Sequence, residues 1–285
     1  MNSNTLYAIR LGVGRGWLEF LRGLRAPQDI GFYFVLSVGL LTYLLFNRNE
    51  PVEGTSLFLP AVAMPSILGG LVIFGGAVST AYALAVERED GTLLRFRAIP
   101  HGTVGFLTGH VVRTSLEAVP TLAVLIIPGM FLFDGLMFNG ATGWLSVLLL
   151  LALGLVVAIP FGTILGALVR GPQQAGTWGL LPILAVVGIS GILYPIAALP
   201  EWVQFIAQLF PVYWLGLGMR AAFLPDGAVV AEIGESWRHL ETLGVLGVWA
   251  VLGLLLAPVV LRRMARRESG ARVQARRERV LQRVP

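Results

Sequence analysis

Few side chains in this sequence are equipped for covalent chemistry. Among its 285 residues there is no cysteine and no lysine, so all 21 basic residues are arginine. Disulfides, thiol nucleophiles, cysteine–metal sites, Schiff bases, Ser–Lys dyads and the lysine of an ATP-binding P-loop are thereby excluded. The serine in a nucleophile-like setting is Ser190, within Gly188-Ile189-Ser190-Gly191, a G-x-S-G pattern. An intramembrane serine protease would need a histidine at membrane depth on a neighbouring helix to activate it. The histidines are His101, His110 and His239, two near the inner boundary of the apolar spans and one in an outer polar loop, whereas Ser190 falls in the outer half of its span. No catalytic residue and no metal site is expected on this chain.

The chemistry that remains is charge recognition, and it is concentrated in Val86–Pro100, VEREDGTLLRFRAIP. Glu87, Arg88, Glu89, Asp90, Arg95 and Arg97 crowd this stretch. Leu57–Val86 before it carries no charged side chain, and a further apolar segment begins at Thr103. A short charged helix between two membrane-like runs sits in water at a membrane face, where its charges can fix a partner and a register. Gly91 allows a sharp turn, Thr92 can cap a following helix, and Leu93, Leu94 and Phe96 offer apolar contact. The alternative is a solvated loop whose charges only mark topology.

The elements that hold this segment follow from composition. Apolar residues make up 56% of the chain and charged ones 13%, with a mean hydropathy of +0.77. Several uncharged runs exceed the eighteen or so residues that a spanning helix needs. The fold class is therefore an all-α polytopic membrane protein with six transmembrane helices, at about 30–46, 62–86, 103–133, 144–169, 175–196 and 243–261. Residues 1–29 precede them, the charged helix occupies 87–100, and 262–285 form an arginine-rich tail. Placing both termini, the charged segment and Arg170 on one side gathers 17 of the 21 arginines there. The positive-inside rule makes that side the cytoplasm, in a multi-pass protein of the inner (plasma) membrane.

Three outlying stretches complete the plan. In Thr5–Arg25 the residues Ile9, Val13, Trp17, Phe20 and Leu24 share one face and Arg15, Arg22 and Arg25 the other. This is the pattern of an amphipathic helix on the membrane surface, although Gly12, Gly14, Gly16 and Gly23 weaken it and leave an irregular arm as the alternative. Residues 199–224 are apolar but cut by Pro200, Pro211 and Pro225 into pieces too short to cross a bilayer. A re-entrant helical hairpin in the outer leaflet fits, as does an amphipathic hairpin on the outer surface. The tail anchors the last span at anionic lipid; nucleic acid is not an expected partner. On the third span Arg113 and Glu117 have the i,i+4 spacing of an ion pair, expected at the inner boundary, with an intramembrane functional charge as the alternative.

Two blocks carry a resemblance. Glu87–Leu93, reading Glu-Arg-Glu-Asp-Gly-Thr-Leu, followed by Arg95 and Pro100, resembles the cytoplasmic coupling segment of type-2 ABC-transporter permeases. The drug-resistance (daunorubicin-type) exporter branch reads roughly E-R-E-x-G-T-L-x-x-L-x-x-x-P there, and Phe96 departs from its usual leucine. Ser190–Pro195, Leu199, Pro200, Trp202, Pro211 and Arg220 resemble the signature at the end of the fifth span and its outer hairpin. The resemblance implies an N-terminal elbow helix, a cytoplasmic coupling helix, and two permeases, identical or related, paired with two ATP-binding subunits on other chains. ATP and magnesium would then be bound by those subunits, and no cofactor by this chain. Glu87, Arg88, Glu89, Asp90, Gly91, Thr92, Leu93 and Arg95 would contact the ATPase.

The translocation path implied by the family lies between two protomers, along spans one, two and five. Phe34, Tyr43, Phe74 and Ser79 are candidate lining residues. No buried chain of carboxylates crosses the spans, which speaks against proton coupling and for a weakly polar, amphipathic cargo such as a drug-like molecule. Lipid or glycoconjugate export by the same architecture is the alternative. A secondary transporter would show paired broken helices or buried coupling charges, and only one broken pair is legible.

Overall fold

The computed structural model describes residues 3–92, 102–133, 139–169, 171–177 and 180–267. Leu93, Arg95, Arg97, Pro100, His101, Arg170 and the tail from residue 268 lie outside them. The described residues form helices and no sheet; the only β pairing among them is an isolated bridge between Pro51 and Phe58. Among the described residues ten α-helices run in order: α1 Ser3–Gly23, α2 Pro27–Phe46, α3 Leu59–Glu89, α4 Gly102–Leu132, α5 Gly140–Leu168, α6 Pro172–Ala175, α7 Leu180–Ile189, α8 Glu201–Leu209, α9 Pro211–Phe223 and α10 His239–Arg267.

The axis of the fold is α3. At 1.5 Å per residue its 31 residues span about 46 Å, well beyond a hydrocarbon core of about 30 Å. It is apolar all round, as a helix packed on every side must be. Against it runs α5, parallel to it, along a seam of small residues. Gly76 meets Ala158, Gly162 meets Ala77 and Thr80, and Gly166 meets Ala81 and Leu84. Without a hydrophobic force between helices in lipid, such close backbone approach is what holds them together. The seam's opposite is α10, which exposes Val248, Val251, Leu252, Leu254 and Leu255.

Four helices among the described residues are long and apolar enough to cross a membrane: Leu59–Glu89, Val104–Leu132, Gly140–Leu168 and His239–Leu261. In α2 the apolar part, Phe34–Phe46, is shorter. The stretch 175–196, read from sequence as one span, is divided. Its main helix α7 ends at Ile189. There Ser190 Oγ donates back to the Val187 carbonyl at 2.6 Å and Gly191 turns the chain at φ +68°, so the helix cannot continue. A 3-10 turn, Ile196–Ala198, then leads into α8.

The first helix also differs from its sequence reading in what it presents to the protein. It lies along the first half of α4, parallel to it, with Ala8, Gly12 and Gly16 facing Gly105 and Gly109. A Cβ at Gly109 would stand 2.9 Å from the Gly12 carbonyl oxygen, and one at Gly16 2.9 Å from Val112 Cβ. The glycines that weaken an isolated helix are what let these two touch, a small-xxx-small contact. The apolar residues Leu11, Trp17, Leu18, Leu21 and Leu24 face outward.

Candidate functional site

The charged segment begins as the last turn of α3, not as a separate helix. Glu87, Arg88 and Glu89 are helical, Asp90 is the C-cap, and Gly91 adopts φ +70° just past it. A left-handed glycine at that position is a common helix stop. Because α3 continues unbroken, its last turn is held by the elements around it.

Two of the charges expected to face a partner are turned inward. Glu87 Oε1 accepts from Arg15 Nη2 at 2.8 Å, and Arg15 Nε also donates to Glu19 Oε1 at 2.6 Å. The Arg15 guanidinium stands over the Phe106 ring, 5.3 Å from its centroid. Arg88, 9% exposed, reaches the far end of α5. Its Nη1 donates to the carbonyls of Val169 at 2.8 Å and Gly166 at 3.1 Å. Those carbonyls have no partner within their own helix and carry the negative end of its dipole, so a guanidinium is a fitting cap.

The rest of the segment points elsewhere. Glu89 is half-buried with its carboxylate against Gly171, Gly91 and Thr92 are half-buried, and Asp90 is exposed. Leu93 and Arg95 lie outside the described residues. The junction therefore gathers α1 through Arg15, α4 through Phe106, α5 through its terminal carbonyls and the 171–175 turn through Gly171, all on the final turn of α3.

At the opposite end of α3 the proline-punctuated stretch forms two helices. Pro195 opens the 3-10 turn, Pro200 is the N-cap of α8 and Pro211 is the first residue of α9. Trp202 is exposed on α8 with Phe205 and Leu209, whereas α9 is buried almost throughout between α3, α5 and α10. An amphipathic hairpin lying wholly on the surface is thereby ruled out. The break between the helices is satisfied internally, as buried backbone must be. Trp214 Nε1 donates to Gln208 O at 2.6 Å and Trp249 Nε1 to Leu209 O at 3.0 Å. Asn139 Nδ2 caps the end of α9 through the carbonyls of Ala221 and Leu224, each at 3.1 Å.

Arg220 sits at the heart of this end, 2% exposed. Its Nε and Nη2 donate to the two oxygens of Glu232 at 2.5 and 2.8 Å, and Nη1 donates to Ser66 Oγ at 2.6 Å. This bidentate pair ties α9 to α3 and to the 3-10 segment Asp226–Ala231 just before Glu232. Sequence reasoning marked Arg220 but not Glu232 or Ser66. A buried arginine demands a carboxylate, and Glu232 is one of few candidates in the following loop; that demand was the available signal.

The path residues do not converge. Phe34 is exposed on α2, the Tyr43 hydroxyl donates to the Leu193 carbonyl at 3.0 Å, and Phe74 is half-buried on α3. Ser79 is the one of the four that lines a recess between α3 and α4. Arg113 and Glu117 form the ion pair their spacing predicts, at 2.6 Å. Glu117 is the middle residue of α4.

With this geometry in view, the relatives are informative. Residues 34–258 match the family described as ABC-2 family transporter protein. Over 198 residues the chain is 29% identical to the linearmycin resistance permease protein LnrN of Bacillus subtilis (strain 168), covering 66% of this chain and 47% of that protein. Over 184 residues it is 24% identical to the probable multidrug ABC transporter permease YbhR of Escherichia coli (strain K12), covering 65% and 49%. The chain thus spans about half the length of the curated relatives it matches. The four helices long enough to cross a membrane and a family match over most of its length make this chain a multi-pass membrane protein of the ABC-2 family of transporter proteins.

Proposed function

We propose that the chain is the permease subunit of an ATP-driven exporter of hydrophobic or amphipathic, drug-like compounds. Two copies of a separate ATP-binding subunit would supply the energy, and a second permease, identical or related, would complete the path. The proposed arrangement has six spans in the cytoplasmic membrane with both termini inside, α2 and the divided 175–196 stretch supplying the two beyond the four long helices. The resistance and multidrug names of the relatives favour such a cargo over a lipid or glycoconjugate.

The observation that carries this reading is the convergence of α1, α4, α5 and the 171–175 turn on the last turn of α3. A push on the segment that starts there is delivered at once to all of them. Within this reading Glu89, Asp90 and the residues from Leu93 to Pro100 meet the ATPase. Glu87 and Arg88 are internal levers that pass the displacement to α1 and α5, which refines a uniform docking role for all four charges.

Co-purification with the cognate ATP-binding protein and ATP-dependent efflux from inverted vesicles test it. Glu89→Ala with Asp90→Ala should weaken ATPase association, whereas Glu87→Ala should leave association in place and lower export per ATP hydrolysed. Normal association and normal export in both variants would refute the assignment.

A further inference from the structure

The recess that Ser79 lines is a second site of interest. It opens between α3 and α4 and encloses about 20 Å³, room for a hydroxyl, where it narrows. Gly75, Gly76 and Ser79 form one wall, Thr114, Glu117 and Thr121 the other, and Leu71 and Leu122 stand at one end. Thr114, Glu117 and Thr121 recur at three- and four-residue spacing, which places them on one face of α4. Glu117 is the middle residue of that helix, with Thr114 and Thr121 on either side of it.

Several hydroxyls in this protein's helices bond back to the carbonyl four residues earlier. Ser66 does so to Val62, Thr108 to Val104, Thr121 to Glu117 and Thr163 to Ile159. Ser79 Oγ and Thr114 Oγ1 do not: both atoms are buried and without a hydrogen-bond partner, and Thr114 as a whole is 3% exposed. A buried hydroxyl in an apolar bundle is normally satisfied. Here two unpartnered hydroxyls share a recess with the Glu117 carboxylate. Its Oε1 accepts a hydrogen bond from Arg113 Nε, and a carboxylate can accept several further bonds.

We infer that this recess binds the polar head of a hydroxyl-bearing amphiphile, with the ligand's apolar body lying along Leu71 and Leu122. Ser79 and Thr114 each donate to and accept from ligand hydroxyls, and Glu117 accepts from one. A purely apolar molecule leaves all three unsatisfied; a free cation or anion gains little where Arg113 already balances Glu117. The ligand's source is either a bilayer lipid with a hydroxylated headgroup or a free amphiphile such as the cargo. In the second case the inference deepens the export reading and rests on it.

The cysteine-free sequence makes the test direct. A Cβ at Gly75 would meet no atom within 4 Å, so Gly75→Cys places a reporter thiol on the recess wall without a clash. The full chain is placed in phosphatidylcholine nanodiscs and its alkylation by N-ethylmaleimide timed. Added 1-dodecanoylglycerol, which carries two hydroxyls, should slow the reaction, and methyl dodecanoate, which carries none, should not. Adding Thr114→Val or Ser79→Ala should raise the half-protecting concentration about three- to tenfold each, one hydrogen bond's worth, and Thr114→Ser should restore it. If phosphatidylglycerol discs protect without additive, the occupant is resident lipid; if protection needs the added ester, it is a free amphiphile. Equal protection by both esters, or protection indifferent to Ser79→Ala and Thr114→Val in discs of native helical content, would overturn the site. The chain is tested without partner or nucleotide, so failure here leaves the ATP dependence of export untouched.

Discussion

Two buried arginines, one near each end of α3, are satisfied in different ways. Arg220 meets a full counter-charge, held by both oxygens of Glu232 and backed by Ser66. Arg88 meets the neutral carbonyls of Gly166 and Val169 at the end of α5. A bidentate ion pair away from water has one good geometry and a steep penalty for leaving it. A fan of carbonyls offers a cation several nearly equivalent positions. The Arg220 end is therefore built as a fixed clasp, and the Arg88 end as a joint whose members can shift relative to one another. That division fits the proposal that force enters at the Arg88 end.

The largest effect should come from breaking the clasp by halves. Arg220→Ala or Glu232→Ala strands an uncompensated charge and should destabilise the protein by about 3–5 kcal/mol. Arg220→Met with Glu232→Leu should recover most of that loss. Thermal unfolding of detergent-solubilised protein reads both, and a single variant within about 1 kcal/mol of the parent would remove the contrast. At the joint, Arg88→Met leaves the Gly166 and Val169 carbonyls short of a donor, and the loss should be about 1–3 kcal/mol. Its signature is functional: ATP turnover retained while export falls, measured in proteoliposomes with the ATP-binding subunit. Asn139 sharpens the comparison further, since it caps α9 with a neutral amide. Asn139→Ala should cost about 1 kcal/mol in the same unfolding assay. A loss there larger than at Arg88 would mean that charge is not what distinguishes the two ends.

Much of the scaffold was legible because membrane depth imposes it on the residue pattern. Long uncharged runs could only be α3, α4, α5 and α10, and Pro200 and Pro211 could only start short helices. The Arg113–Glu117 pair followed from spacing alone. What sequence could not disclose were contacts between distant segments. Gly12 and Gly16 look like flaws until Gly105 and Gly109 are set beside them, and local propensity then loses to tertiary packing. Apolar content could not locate the break after Ile189, because Ser190 and Gly191 act through backbone geometry and leave hydropathy unchanged. Within the charged segment, residue type could not separate Glu87 and Arg88, with partners inside the chain, from the exposed Asp90.

The glycine seam between α1 and α4 also dictates an order of assembly. Helix α1 docks in a groove encoded by the later stretch that forms α4, so it has nothing to seat against until α4 has been made. Until then Leu11, Trp17, Leu18 and Leu21 can hold it at the bilayer, and its closure over α4 then marks a late step of maturation. A bulky side chain at Gly12 would accordingly leave an inserted but unclosed protein, with its N-terminal segment open to added protease.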